Sequence, residues 1–211
     1  GPSGSGKTTL VNLLMRFYAP TAGGIRLGAH DLRDLRQEEL RRHFGTVRQE
    51  PFIFSATVAE NIALMNPATS REDIIAAAQQ ANADAFIRRL EQGYDTKLRE
   101  RGAGLSAGQK QLLALARIML QREARVLILD EATANVDSET EGWIQDALKT
   151  VMVGRTGIII AHRLSTIRHA DRILVFQQGR LVAQGRHEDL LRQGGYYRRL
   201  YEYLAMTENS G

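Results

Sequence analysis

The chain has 211 residues, 43% of them apolar and 25% charged, the proportions of an ordinary globular protein with a core of useful size. It contains no cysteine, which excludes disulfides and thiolate metal sites and suits a reducing compartment. The net charge of +4 comes from arginines dispersed along the chain, a distribution that argues against a nucleic-acid-binding surface, and no apolar run approaches the ~18 residues that cross a bilayer.

Residues 1–6 read as a loop, and Lys7 to Tyr18 as the helix after it, with Leu10, Leu13, Leu14 and Phe17 on one face. Ile25 to Leu27 and Thr46 to Arg48 are short strand candidates. From Val58 to Leu120 the pattern is helical, with Ile74, Ile75, Ala78, Ala81, Ala85 and Phe86 recurring at helix spacing. The most apolar stretch within it, Leu112 to Leu120, is interrupted by Arg117. Val126 to Leu129 is a continuous apolar run, as expected of a buried parallel strand. Gly157 to Ala161 and Ile173 to Phe176 repeat that character, and His187 to Ala205 reads as helix broken at Gly194-Gly195. Strands alternating with helices predict an α/β fold with a largely parallel sheet.

Gly1-Pro2-Ser3-Gly4-Ser5-Gly6-Lys7-Thr8, followed by Thr9, satisfies the Walker A pattern. Glycines let the backbone wrap closely enough for successive N–H groups to point at phosphate oxygens. The start of the following helix adds positive potential. Lys7 is then the residue expected on the β- and γ-phosphates, and the Thr8 hydroxyl the one expected on Mg²⁺. A second piece is the apolar strand ending in Asp130-Glu131. Two adjacent acids at a strand end suit different tasks, Asp130 holding Mg²⁺ through water and Glu131 polarising the attacking water as general base. Between the two lies Leu105-Ser106-Ala107-Gly108-Gln109, small residues ahead of an apolar-periodic helix. By itself that segment reads as an ordinary helix cap or as an anion-binding helix start.

In this order the motifs resemble those of the ABC (ATP-binding cassette) ATPases, along nearly the whole chain. Leu105 to Gln109 is similar to the family signature, with Ala107 where glycine is usual. Gln49 matches the Q-loop glutamine, Asp137 the D-loop aspartate and His162 the switch histidine. The resemblance implies a P-loop NTPase core with a mainly parallel sheet, antiparallel β elements and an inserted α-helical subdomain. The expected division is a core of residues 1–57 and 121–211 with a helical lobe of 58–120. It further implies ATP hydrolysis with ATP and Mg²⁺ as ligands. Glu131, His162 and Gln49 are the catalytic set, and Thr8, Gln49 and Asp130 the metal set. The nucleotide set is Gly1, Pro2, Ser3, Gly4, Ser5, Gly6, Lys7, Thr8, Thr9 and Asp137, with the signature residues Ser106, Ala107, Gly108 and Gln109, of which Ser106 and Gly108 would contact the γ-phosphate held by a partner. That partner is a second such domain, the same or different, paired head to tail. If Ala107 has to adopt glycine-like dihedrals its methyl group disturbs this contact; if its dihedrals are helical it is harmless.

Pro51 to Ile62 after Gln49 resembles exporters, where the stretch lines the groove for a coupling helix of the membrane domain. Phe52 and Phe54 are accordingly expected to be partly exposed. Thr96 to Gly102 is similar to the X-loop of exporters, with Arg99 where glycine is usual. An importer subunit and a DNA-repair or chromosome-maintenance ATPase are the alternatives. Against the latter, no sustained heptads lie between Lys7 and Asp130. The expected setting is the cytoplasmic face of the inner membrane, as part of an integral membrane transporter with no nucleic-acid partner. Because the chain opens inside Walker A, a longer polypeptide is expected, with transmembrane helices and the adenine-stacking aromatic upstream.

Overall fold

The computed structural model describes residues 4–130, 136, 138–161 and 167–208, and divides into two units, Gly1–Gln37 with Ile160–Gly211, and Glu38–Ile159. Elements run in the order α1 (Lys7–Leu14), β1 (Arg26–Leu27), β2 (His30–Asp31), α2 (Gln37–Arg42), β3 (Phe44–Val47), α3 (Val58–Ile62), α4 (Arg71–Gln80) and α5 (Asp84–Ile87). Two 3-10 turns, Gly93–Asp95 and Glu100–Gly102, precede α6 (Ala107–Leu120) and β4 (Val126–Asp130). Then come α7 (Ser138–Met152), β5 (Thr156–Ile160), β6 (Ile173–Gln177), β7 (Arg180–Gly185), α8 (His187–Gln193) and α9 (Gly195–Glu208). This mixed α/β architecture has the parallel sheet, the antiparallel strands and the helices that the motifs predicted. Among the described residues no helix is long and apolar enough to cross a membrane.

In the unit Glu38–Ile159, β3 and β4 pair in parallel from Phe44↔Val126 to Val47↔Leu129, and β5 lies on the other side of β4. Helix α6 forms because Ser106 caps it and apolar residues fill nearly its whole circumference: Leu112, Leu113, Leu115 and Ile118 are all at most 1% exposed. Burying each such side chain contributes about 1.5–3 kcal/mol. Neighbouring α7 turns a single stripe inward, Ile144, Ala147 and Val151, at helical spacing. On α4 the inward residues are Ile74, Ala77 and Ala78, small enough for α4 to lie close against α6. The apolar stretch from Val58 to Leu120 is helical as its period required, although Thr57 and Lys97 also form an isolated antiparallel bridge.

The unit Gly1–Gln37 with Ile160–Gly211 is built round an antiparallel hairpin of β6 and β7. Its small core is Val175, Leu190 and Tyr197, and the buried His187 ring meets the Tyr197 hydroxyl at 2.7 Å. Helices α8 and α9 break at Gly194 and Gly195, both at φ 72°, where the sequence pattern placed the interruption. Two other expectations are corrected. Helix α1 ends at Leu14 rather than Tyr18, because Arg16 takes a left-handed φ of 54° and donates to the carbonyls of Leu32 and Leu35. Phe17 and Tyr18 are left 51% and 63% exposed. The strand expected at Thr46 to Arg48 lies at Phe44–Val47, since Phe44 and Gly45 are already on the β4 ladder.

After α3, Leu64 and Met65 both have left-handed backbones, φ 52° and 61°. That conformation costs an L-residue roughly 1–2 kcal/mol, and the half-exposed Met65 side chain recovers little of it by packing. Glycine's larger unfolded-state entropy takes back about 0.5–1 kcal/mol. Met65→Gly is therefore expected to stabilise the protein by up to about 1 kcal/mol, read as a higher urea midpoint at unchanged slope. A lower midpoint would contradict the strain assigned to this turn.

Candidate functional site

The loop ahead of α1 is a glycine conformation. Gly4 and Gly6 sit at φ 75° and 100°, where other residues are strained, and a Cβ on Gly6 would lie 3.3 Å from the Gly179 α-carbon. The hairpin turn holds the loop from one side: the Gly179 N–H donates to the Ser5 carbonyl at 3.1 Å. Ser5 is buried, and its hydroxyl accepts from the Lys7 ammonium at 3.3 Å. Gly6 caps α1 without any side-chain acceptor, and the first turn contains no acid. No side chain caps the start of this helix, which lies beside a lysine, and the helix dipole adds positive potential there. This is a cradle whose chemistry fits phosphate, with Thr8 and Thr9 exposed on the first turn. Gly1, Pro2 and Ser3 lie outside the described residues.

In the other unit, β3 and β4 end side by side. The last paired residues are Val47 and Leu129, so Arg48-Gln49 and Asp130 continue at the carboxyl edge of adjacent parallel strands, where α/β sheets bind ligands. Gln49 is exposed and Asp130 half-buried. Glu131, Asp137 and His162 lie outside the described residues. Among the described residues no three His, Asp or Glu side chains gather round a metal position. Mg²⁺ commonly takes one or two protein oxygens together with phosphate oxygens and water, and Thr8 and Asp130 are donors of that kind.

Ser106 and Gln109 form a capping box: Ser106 Oγ accepts from the Gln109 N–H at 3.2 Å, and Gln109 Oε1 accepts from the Ser106 N–H at 3.0 Å. The box satisfies those two donors and leaves the N–H groups of Ala107 and Gly108 at the helix start. Ala107 is the first residue of α6 and is not among the positive-φ residues, so the backbone at that position does not require glycine. Gly108 is irreplaceable for a different reason. A Cβ on it would lie 2.3 Å from Thr140 Cγ2 and 3.0 Å from Val136 Cγ1, so the glycine is what lets α6 lie against α7.

Phe52 and Phe54 are 61% and 37% exposed, with their rings edge to face at 4.9 Å, as anticipated from the sequence. Ile53 between them is buried against Gly102 of the Thr96–Gly102 stretch. Three residues holding this loop carried no role in the sequence reading. Asn61, fully buried, donates to the carbonyls of Phe54 and Thr57 and accepts from the Phe54 N–H. Arg117 on α6 donates to the Phe52 and Asn61 carbonyls at 2.6 and 2.8 Å and to Asn61 Oδ1 at 2.9 Å. Burial lowers its pKa to about 10. Gln111, one helical turn into α6, donates to the carbonyls of Arg48 and Gln49 at 3.0 and 2.7 Å. The available signal was a charge and an amide on the buried side of an apolar helix. The hairpin turn at Gln178-Gly179, with φ of 48° and 76°, was not read from the sequence either, although a glycine-containing pair between two strand-like runs is a turn signal.

The family profile described as ABC transporter matches residues 1–134. An uncharacterized ABC transporter ATP-binding protein YfiC of Bacillus subtilis (strain 168) is 48% identical over 202 residues, covering 96% of this chain and 33% of that protein. The ATP-dependent lipid A-core flippase of Syntrophus aciditrophicus (strain SB) is 50% identical over 211 residues, covering 100% of this chain and 35% of the flippase. Among solved structures, a bacterial Atm1-family ABC exporter with ATP bound is 45% identical with a TM-score of 0.89, covering 97% of this chain and 36% of that one. The chain spans about a third of the length of the curated relatives it matches.

Proposed function

This chain belongs to the ABC transporter family, and from that premise we propose that it is the ATP-binding and ATP-hydrolysing motor of a membrane exporter. The observation that carries the reading is the loop at residues 4–8, with glycine-only dihedrals, a helix start free of side-chain caps, and Lys7 beside it. Gly4 to Thr9 cradle the phosphates, together with Gly1, Pro2 and Ser3. Thr8, Asp130 and Gln49 hold Mg²⁺, which when bound neutralises charge on the β- and γ-phosphates. Glu131 accepts a proton from the water that attacks the γ-phosphorus, and His162 contacts the γ-phosphate. The bond to the β-phosphate oxygen breaks, and ADP and phosphate leave.

The helix start at Ser106, Ala107 and Gly108, with Gln109 and Asp137, serves a nucleotide held by a second domain paired head to tail, identical or homologous. The proposed division is a core of 1–57 and 121–211 with a helical lobe of 58–120. Phe52 and Phe54 receive coupling helices from transmembrane segments, which places the chain on the cytoplasmic face of the membrane. The lipid A-core flippase and the Atm1-family exporter among its relatives support export over import.

The test uses the full-length protein in lipid. Phosphate release from ATP is expected to require Mg²⁺, and its absence under saturating ATP and Mg²⁺ would refute the hydrolytic reading. Replacing both Phe52 and Phe54 with aspartate should leave ATP binding intact, because neither ring lies in the phosphate loop, and should abolish transport by removing the apolar contact. Transport at the wild-type rate by that double variant would refute the docking role.

A further inference from the structure

We propose that Gln111 is a positioning residue for the hydrolytic site: its amide, carried on α6, fixes the backbone of Arg48 and Gln49 and thereby aims the Gln49 side chain. The inference rests on the reading of Gln49 as part of that site. Helix α6 is anchored in the core, with Leu112 and Leu113, the two residues after Gln111, fully buried. Gln111 is itself only 3% exposed. Strand β3 leaves its ladder with β4 after Val47, and outside the sheet no backbone–backbone hydrogen bond among the described residues involves Arg48, Gln49 or Glu50. At that point, where the backbone would otherwise be free to turn, one buried Nε2 holds two successive carbonyls, at 3.0 and 2.7 Å. Fixing both carbonyls of a dipeptide restricts the peptide plane between them, and with it the direction in which the Gln49 side chain departs.

The choice of residue carries the same message. A primary amide is a neutral group with two protons to give, one for each carbonyl, and it brings no charge into the core. Its own Oε1 accepts no hydrogen bond among the described residues. A buried acceptor left without a donor costs about 1–3 kcal/mol, so an apolar residue of the same length would fit a core that asked only for stability. Violations of local economy of this kind concentrate where a site has to be held in place.

The experiment compares Gln111→Met, Gln111→Glu, Gln49→Ala and the double variant Gln49→Ala/Gln111→Met in the full-length protein. Urea stability, ATP affinity, kcat and the Mg²⁺ concentration for half-maximal rate are measured for each. Gln111→Met keeps the length and removes both the donors and the orphan acceptor; Gln111→Glu keeps the shape and turns an oxygen toward two carbonyls. Both are expected to fold and bind ATP as the wild type does. In both, kcat should fall about tenfold to hundredfold, as for other displaced site groups, with a raised Mg²⁺ requirement. The double variant should be no slower than Gln49→Ala alone, because the two residues act through one side chain. A merely structural staple predicts a different result: changed stability with kcat and Mg²⁺ dependence unmoved, or losses that multiply in the double variant. Either would overturn the proposal. Should Gln111→Met not fold, the kcat of Gln111→Glu decides in the same way. If Gln49→Ala itself turns over normally, the reading of the site fails, and the proposal with it.

Discussion

Glu131→Gln is expected to hydrolyse ATP about 10²- to 10⁴-fold more slowly than the parent, the usual contribution of a positioned general base, while binding ATP as tightly. The substitution keeps the side chain's size and removes the basic oxygen. The residue follows Asp130, the last residue of β4, in the chain, and is not among those proposed to cradle the phosphates. Binding and chemistry should therefore separate. Lys7→Ala is the contrasting case, since it takes a positive charge from the cradle and leaves Ser5 Oγ without that donor. Its primary defect should be ATP affinity, with turnover falling at subsaturating ATP. Isothermal titration alongside steady-state hydrolysis distinguishes the two. Normal turnover by Glu131→Gln would remove Glu131 from the chemistry, and unchanged affinity in Lys7→Ala would remove Lys7 from the cradle.

Arg117→Ala is expected to destabilise the protein by about 2–5 kcal/mol, because it strips the donor from several buried acceptors at once. The Phe52 and Asn61 carbonyls lose it, and Asn61 Oδ1 keeps only the Phe54 N–H. No ion pair to a carboxylate holds Arg117 among the described residues, so the loss is one of hydrogen bonds and packing rather than of a salt bridge. Arg117→Lys should recover only part of it, since an ammonium lacks the planar fork that reaches three acceptors in one geometry. The pH dependence follows from burial, which holds the folded-state pKa at about 10, below the group's ordinary unfolded value. Both states are protonated below about pH 9, so this group adds no slope there; above about pH 10 the folded state loses this proton before the unfolded state does, and stability from this group rises with pH. The deficit of Arg117→Ala should accordingly be constant from about pH 6 to about 9. A denaturation midpoint equal to wild type would mean that the Phe52–Phe54 loop does not depend on this anchor.

Much of this protein was decided within stretches of four or five residues, and those stretches are legible without a structure. The glycines ahead of Lys7, the Ser106–Gln109 capping box, the Gly194-Gly195 break and the apolar run into Asp130 each follow from local sterics and hydrogen bonding. Their order along the chain was enough to indicate the family. Other features required the fold. The ambiguity at Ala107 ended only when that residue was seen inside the first turn of α6, with no positive φ. Gly108 carries a packing demand that the motif did not reveal, because Thr140 of α7 occupies the space a side chain would need. Gln111 and Arg117 had no visible assignment because their partners lie 62 to 65 positions back at Gln49, Arg48 and Phe52, and 56 back at Asn61. A helix period tells which residues face inward; it does not tell which distant carbonyl an inward-facing donor will meet. That is decided by the depth at which α6 is buried and by where β3 leaves the sheet, both consequences of packing the whole unit at once.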